Sequence, residues 1–185
     1  LSIFEKEMPD AGTELNYKSP YELIVAVILS AQCTDVRVNM ITPSFFSRFP
    51  DANSLSLTTT DEIYNLIKSC SYPNNKAKSL LGMAKELIHT FDGIVPDSID
   101  ELQKLPGIGR KSANVIASVV FNKPAMAVDT HVFRVAARLG LTTAAKNPLD
   151  AEKQLVKYIP KDKITRAHHW LILHGRYVCT ARSPK

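Results

Sequence analysis

No apolar run in this chain of 185 residues approaches the roughly 20 that a membrane-spanning helix needs; the longest, 23–29, makes about two helical turns. Cysteine is scarce: Cys33, Cys70 and Cys179 stand far apart without a disulfide pattern, which fits a reducing compartment. There is no internal repeat, low-complexity tract or flexible linker, so solenoids and beads on a string are excluded. No segment alternates convincingly with the period of two of a half-buried strand, which removes the sheet classes. The opening LSIFEKEMPDAG carries acidic residues early and no long apolar stretch, unlike a secretory signal. A start at leucine rather than methionine is what a missing true N-terminus would leave.

What is present is helical periodicity and a modest positive charge. Lys and Arg number 23 against 18 acidic residues, for a net charge of +5 and a pI near 9.1. That excess suits a polyanionic partner but does not by itself identify one. Ser2 with Glu5 predicts a short first helix ending before Pro9. Ser19, Pro20 and Glu22 launch a helix to about residue 31 that is apolar almost all round, and therefore central and buried. Thr34 or Asp35 caps a helix that Pro43 restarts toward Phe49; Thr59 with Glu62 begins one over 61–69; Asn75 caps one over 76–91. Asn147-Pro148 opens a helix over 149–159, and Asp162 opens one through about 177. The length suffices for one large or two small domains, and the expectation is an all-α protein of about ten helices.

Residues 98–131 hold the chemistry. Ser98 and Glu101 form a capping pair for a short helix that Pro106 ends; after Gly107-Ile108-Gly109, residues 110–121 place Ala113, Ile116, Ala117 and Val120 at helical spacing. The result is helix, glycine hairpin, helix. Two glycines remove the Cβ atoms that would hold a ligand away, and turn N–H groups at a helix start suit a phosphate. The same pattern also describes an ordinary inter-helix turn.

Two further residues point beyond that ordinary turn. Lys111 sits in the first turn of the second helix, where the backbone's partial positive charge and adjacent Arg110 disfavour an added cation and favour the neutral amine, the form that attacks carbon. Asp129 follows the apolar run Ala125-Met126-Ala127-Val128 and opens a helix over 130–140. It is a natural N-cap, and a carboxylate so fixed could also take a proton from Lys111 or balance positive charge on a sugar.

With these residues in place, LPGIGRKSANV, followed eighteen residues after the lysine by VDTHVFRVAARLGL, resembles the endonuclease III family of DNA glycosylases in the helix-hairpin-helix superfamily. SPYELIVAVILSAQCTD and HHWLILHGRYVC extend the likeness over nearly the whole chain. The resemblance implies a six-helix barrel over 14–123 that carries the hairpin motif (98–121), and a second helical domain from 1–13 and 124–185, flanking a DNA-binding groove. It implies a bifunctional glycosylase and AP lyase that removes oxidised pyrimidines from duplex DNA. Lys111 would be the Schiff-base nucleophile, Asp129 its partner across the groove, and Gly107, Ile108, Gly109 and Arg110 the backbone grip.

The matching positions for side chains that fill the gap left by an extruded base are Gln32 and Tyr72. Gln32 reads equally as an ordinary residue at a helix C-terminus, and Tyr72 departs from the small aliphatic wedge of some relatives. Asp35 and His131 are possible pocket residues, with capping the default for Asp35. His168, His169 and His174 lack the convergent spacing of a zinc site. Cys179 matches the first of four ligands to a 4Fe–4S cluster in many relatives; the other three are absent from this chain, and a C-terminal loop missing here is the favoured explanation. The family further implies a cytoplasmic bacterial monomer that works on damaged or abasic duplex. Rival readings are a monofunctional mismatch glycosylase, against which Lys111 argues, and a noncatalytic hairpin module, for which Asp129 would be superfluous.

Overall fold

The most apolar stretch of the sequence becomes the helix from which water is most completely excluded. A computed structural model describes residues 1–184, and among them only helices, turns and loops occur. The helices are α1 (Ser2–Glu7), α2 (Pro20–Ser30), α3 (Asp35–Arg48), α4 (Ala52–Ser56), α5 (Thr60–Ile67), α6 (Pro73–Phe91), α7 (Ile99–Leu102), α8 (Arg110–Phe121), α9 (Thr130–Arg138), α10 (Pro148–Tyr158) and α11 (Ile164–Tyr177), with a 3-10 turn at Lys161–Lys163. They divide into an internal unit, Glu14–Ile116, and a terminal unit made of Leu1–Thr13 and the residues from Ala117 onward. The division falls inside α8.

In the internal unit, Tyr21 and every residue of α2 from Leu23 to Leu29 are buried. Pro20 sits at the first helical position, and the Ser19 hydroxyl accepts the Glu22 N–H at 3.2 Å, so the entry to α2 is built from local chemistry. The Glu22 carboxylate accepts the Lys18 N–H at 2.6 Å. Helix α3 packs on α2 and α5, while α4 and α5 pack on α6. Each fully buried aliphatic side chain here contributes about 1.5–3 kcal/mol.

The terminal unit closes its core around Trp170, with Val132, Val135, Leu155, Ile164 and Leu171 buried about it. Helix α1 is held to α11 by specific bonds: Trp170 Nε1 donates to Met8 O at 2.8 Å, Phe4 stacks on Trp170, and Glu5 pairs with Lys163 at 2.9 Å.

Several local expectations are corrected. Ser2 is the first residue of α1, whose cap is Leu1, and Glu5 turns to Lys163 and Arg166 rather than back to the helix start. No side-chain cap bond forms at Ser98. Pro43 does not restart a helix, because α3 runs through it; burial of Val38, Ile41, Thr42 and Phe45 outweighs the lost N–H bond. Helix α6 begins at Pro73, two residues before the expected cap Asn75, and its N-cap is Tyr72. Asp162 lies in the 3-10 turn, not at a helix cap. Helix α4, with its Asp51/Ser54 capping box, was not foreseen.

Candidate active site

The hairpin is built on α6 and α2. A Cβ at Gly107 would stand 2.8 Å from Ser79 Cβ and 3.6 Å from Ile28 Cδ1, and its φ of +85° belongs to the left-handed region, so this position demands glycine. Ile108 is buried beneath the turn, and its N–H is taken by Leu105 O at 3.0 Å. Gly109 differs. Nothing lies within 4 Å of where its Cβ would be, and its backbone is not left-handed. Protein packing therefore gives no reason for glycine there, whereas a ligand approaching from outside would.

Helix α8 starts at the next residue. Ala113 N–H donates to Gly109 O at 2.9 Å, the first bond of the helix, so Lys111 occupies its first turn and is exposed. Ala113, Ile116 and Ala117 face the interior, which sets the rotation of the helix and the direction of its exposed side.

Gln32 and Tyr72, both exposed, flank the same two helices that seat the hairpin. Gln32 lies just beyond α2 and Tyr72 caps α6. Both adopt left-handed backbone, with φ of 53° and 54°. Such conformations cost non-glycine residues of the order of 1 kcal/mol and persist where the surrounding structure enforces them, often at functional sites. Thr34, not Asp35, caps α3 by accepting the Arg37 N–H at 3.3 Å; Asp35 is the first helical residue.

Asp129 belongs to the terminal unit. Its Oδ1 accepts the Val132 N–H at 2.8 Å, as an N-cap of α9 should. The run before it, Ala125 to Val128, is buried, and His168 Nδ1 lies 2.8 Å from Ala127 O. Two anchors thus place the carboxylate: the helix it caps and the pinned strand-like segment that delivers it. His131, half-buried, has its Nδ1 3.3 Å from the Arg134 guanidinium and its Cβ only 2.9 Å from a Cβ built on Gly175. It is held in the packing of α9 on α11.

Arg134 and Arg138 carry a function that sequence reasoning missed. Arg134 donates to Gly175 O at 2.9 Å and Cys179 O at 3.1 Å; Arg138 donates to Thr180 O at 2.7 Å, Ala181 O at 2.9 Å and Cys179 Sγ at 3.3 Å. The segment after α11 is thereby clamped to the helix that Asp129 opens. A 4Fe–4S cluster needs four ligands of the kind Cys179 offers, and no group of three or more His, Cys, Asp or Glu able to hold a metal occurs among the described residues. These residues alone do not fit the cluster.

Lys76 was also missed. It is 5% exposed and donates through Nζ to Leu29 O at 2.6 Å, joining α6 to the end of α2. The available signal was its spacing with Leu80, Ala84 and Leu87 on the apolar stripe of α6.

A family model described as HhH-GPD superfamily base excision DNA repair protein matches residues 25–161. Endonuclease III of Rickettsia felis is 47% identical over all of this chain and 86% of its own length, and that of Synechocystis sp. is 46% identical over all of this chain and 84% of its own. The chain belongs to the endonuclease III family. A solved structure of a trapped endonuclease III–DNA covalent intermediate, 43% identical, superposes with a TM-score of 0.94 over all of this chain and 86% of that one. Endonuclease III proteins are enzymes of base excision repair, DNA N-glycosylases that also act as AP lyases, and this member is such an enzyme. Its family is known for a 4Fe–4S cluster.

Proposed function

We propose that Lys111 and Asp129 are the catalytic pair with which this enzyme removes oxidised pyrimidines from duplex DNA and cuts the resulting abasic strand. The observation that carries the assignment is Gly109: a glycine with empty space outside it, directly before a helix that presents an exposed lysine in its first turn. A backbone phosphate would be held by the Gly107 and Gly109 amides and the α8 N-terminus, with Arg110 beside it and Ile108 as the buried anchor. The hairpin, Gln32 and Tyr72 belong to the barrel unit, which we draw over 14–123. Gln32 and Tyr72 would fill the space left when the damaged nucleotide is turned out, and their enforced left-handed backbone is what supports that role. Asp35 would line the pocket from the first turn of α3, whereas His131, engaged by Arg134, would act only in support.

The neutral Lys111 amine attacks the sugar C1′. The glycosidic bond breaks and its electron pair leaves with the base, while the amine's own proton passes to Asp129, which hands it to the departing base. Ring opening gives a Schiff base, loss of a C2′ proton expels the 3′ phosphate by β-elimination, and water then releases Lys111. Asp129 stabilises the cationic sugar because the α9 cap keeps its carboxylate in place. The reduced cysteines and the bacterial relatives support a cytoplasmic setting, and Cys179 is the residue of this chain that would enter a family-type cluster.

The test is covalent trapping with borohydride on an abasic duplex. Lys111→Gln is expected to abolish the trapped species while binding to the same duplex stays within a few-fold of the parent. Trapping that survives in the variant would remove Lys111 from the nucleophile's role.

A further inference from the structure

Three ionisable groups that the proposed chemistry does not use meet where α2, the loop before α6 and the first turn of α6 converge. Cys70 is buried, and its thiol interacts electrostatically with the thiol of Cys33 and with the buried Lys76 amine, whose own pKa burial pushes down. Each member is fixed by backbone or side-chain bonds: Cys33 N–H to Ser30 O at 3.0 Å, Cys70 N–H to Ile67 O at 2.8 Å, and Lys76 Nζ to Leu29 O at 2.6 Å. Cys33 is the partly exposed member and Cys70 the enclosed one.

We propose that Cys33 and Cys70 form an oxidisable dithiol, a modification site that hydroperoxides convert to a disulfide linking the loop of Gln32 to the loop of Tyr72. The solvent-reachable Cys33 thiolate attacks the peroxide; the O–O bond breaks, an alcohol or water leaves, and Cys33 becomes a sulfenic acid. Cys70 sulfur then displaces hydroxide from Cys33, which departs as water with the thiol's proton, so two thiols are oxidised and one peroxide is reduced. Burial and the neighbouring Cys33 push the Cys70 thiol up to about 11 even with Lys76 beside it, so the enclosed Cys70 stays a thiol until it is called on to resolve. Cys33, the thiol that solvent reaches, reacts first and Cys70 resolves.

The bond would fix the sequence neighbours of both cysteines. Gln32 adjoins Cys33, and Tyr72 stands two positions after Cys70. The effect on DNA, though not the thiol chemistry, rests on the gap-filling role given to those two residues. Locking their loops in the free-enzyme arrangement would oppose insertion beside an extruded base, and loss of a single stacking contact lowers affinity roughly tenfold.

The full-length protein is treated with hydrogen peroxide, digested without reduction and mapped by mass spectrometry, and binding to an abasic-site duplex is titrated before and after. The expected result is a Cys33–Cys70 linked peptide, affinity lowered roughly tenfold, and full recovery with dithiothreitol. Cys33→Ser should bind like the reduced parent and ignore peroxide; Cys70→Ser should accumulate sulfenic acid on Cys33, read by a dimedone adduct. Linkage to Cys179, overoxidation of Cys33 without linkage, or an unchanged affinity in the linked protein each overturns the proposal. If the reduced parent neither binds nor nicks abasic duplex, the proposed active site fails, whereas the peptide map still decides the dithiol.

Discussion

At the scale of single residues, Asp129 is a helix cap and, in the proposed mechanism, also the catalytic carboxylate, and the two duties are separable. As an N-cap it accepts the Val132 N–H at 2.8 Å, and asparagine caps as well as aspartate. Asp129→Asn is therefore expected to melt within about 0.5 kcal/mol of the parent while base release and strand cutting slow by about 10²–10⁴-fold. Asp129→Ala adds a stability loss of about 1 kcal/mol. Thermal melts beside single-turnover assays separate the two duties. His169 carries a different signal. Burial pushes it down to about 4, so the folded protein keeps a neutral ring where an unfolded chain, near the ordinary 6.5, takes up a proton. Stability is full above that window and falls as pH drops from about 6.5 toward 4, by a ceiling of about 3 kcal/mol. The ring of His168, 5.0 Å away between centroids, is the titratable neighbour that shares the site. Urea melts of the parent and of His169→Phe across that range should differ in pH slope; parallel slopes would show that another group dominates.

At the scale of elements, the proposed phosphate site would divide folding from binding between the two glycines of the hairpin. Gly107→Ala would place a Cβ 2.8 Å from Ser79 Cβ on a left-handed backbone and is expected to destabilise the internal unit by about 1–3 kcal/mol. Gly109→Ala meets no atom within 4 Å and needs no unusual backbone, so its melting should stay near the parent's. Its methyl group would instead obstruct a phosphate, and affinity for duplex should fall roughly tenfold, the worth of one charge-assisted hydrogen bond. Calorimetry and a DNA titration on the two variants read this contrast directly. If both lose only stability, the hairpin is an ordinary turn.

At the scale of the whole molecule, the charge excess is +5. This number argues for electrostatic capture of DNA with limited strength. If about four phosphates are neutralised, affinity for undamaged duplex should fall about a hundredfold between about 50 and about 200 mM salt. Fluorescence anisotropy across that range gives the slope, and a flat response would mean that the basic residues are not at the interface. The salt slope should be nearly the same for abasic duplex, since Gln32 and Tyr72, the residues proposed to fill the gap, carry no charge.

The sequence by itself determined what depends on neighbours a few positions apart. Ser19, Thr59, Asp129 and Asn147 cap as expected because a cap bond spans three residues and needs no tertiary partner. The all-α character, the buried α2 and the order hairpin, lysine, aspartate follow from period and spacing alone. Only the tertiary structure decided the rest. Ser98 makes no cap bond, while Glu5 leaves its helix for Lys163 and α3 continues through Pro43, the last two because a partner distant in the chain or burial outweighs about 1–3 kcal/mol of local preference. The left-handed turns at Gln32 and Tyr72, the bond from Lys76 to Leu29 O, and the hold of Arg134 and Arg138 on the 175–181 segment have no local signature. They exist because helices far apart in sequence pack together, and the backbone between them must take whatever conformation that packing leaves.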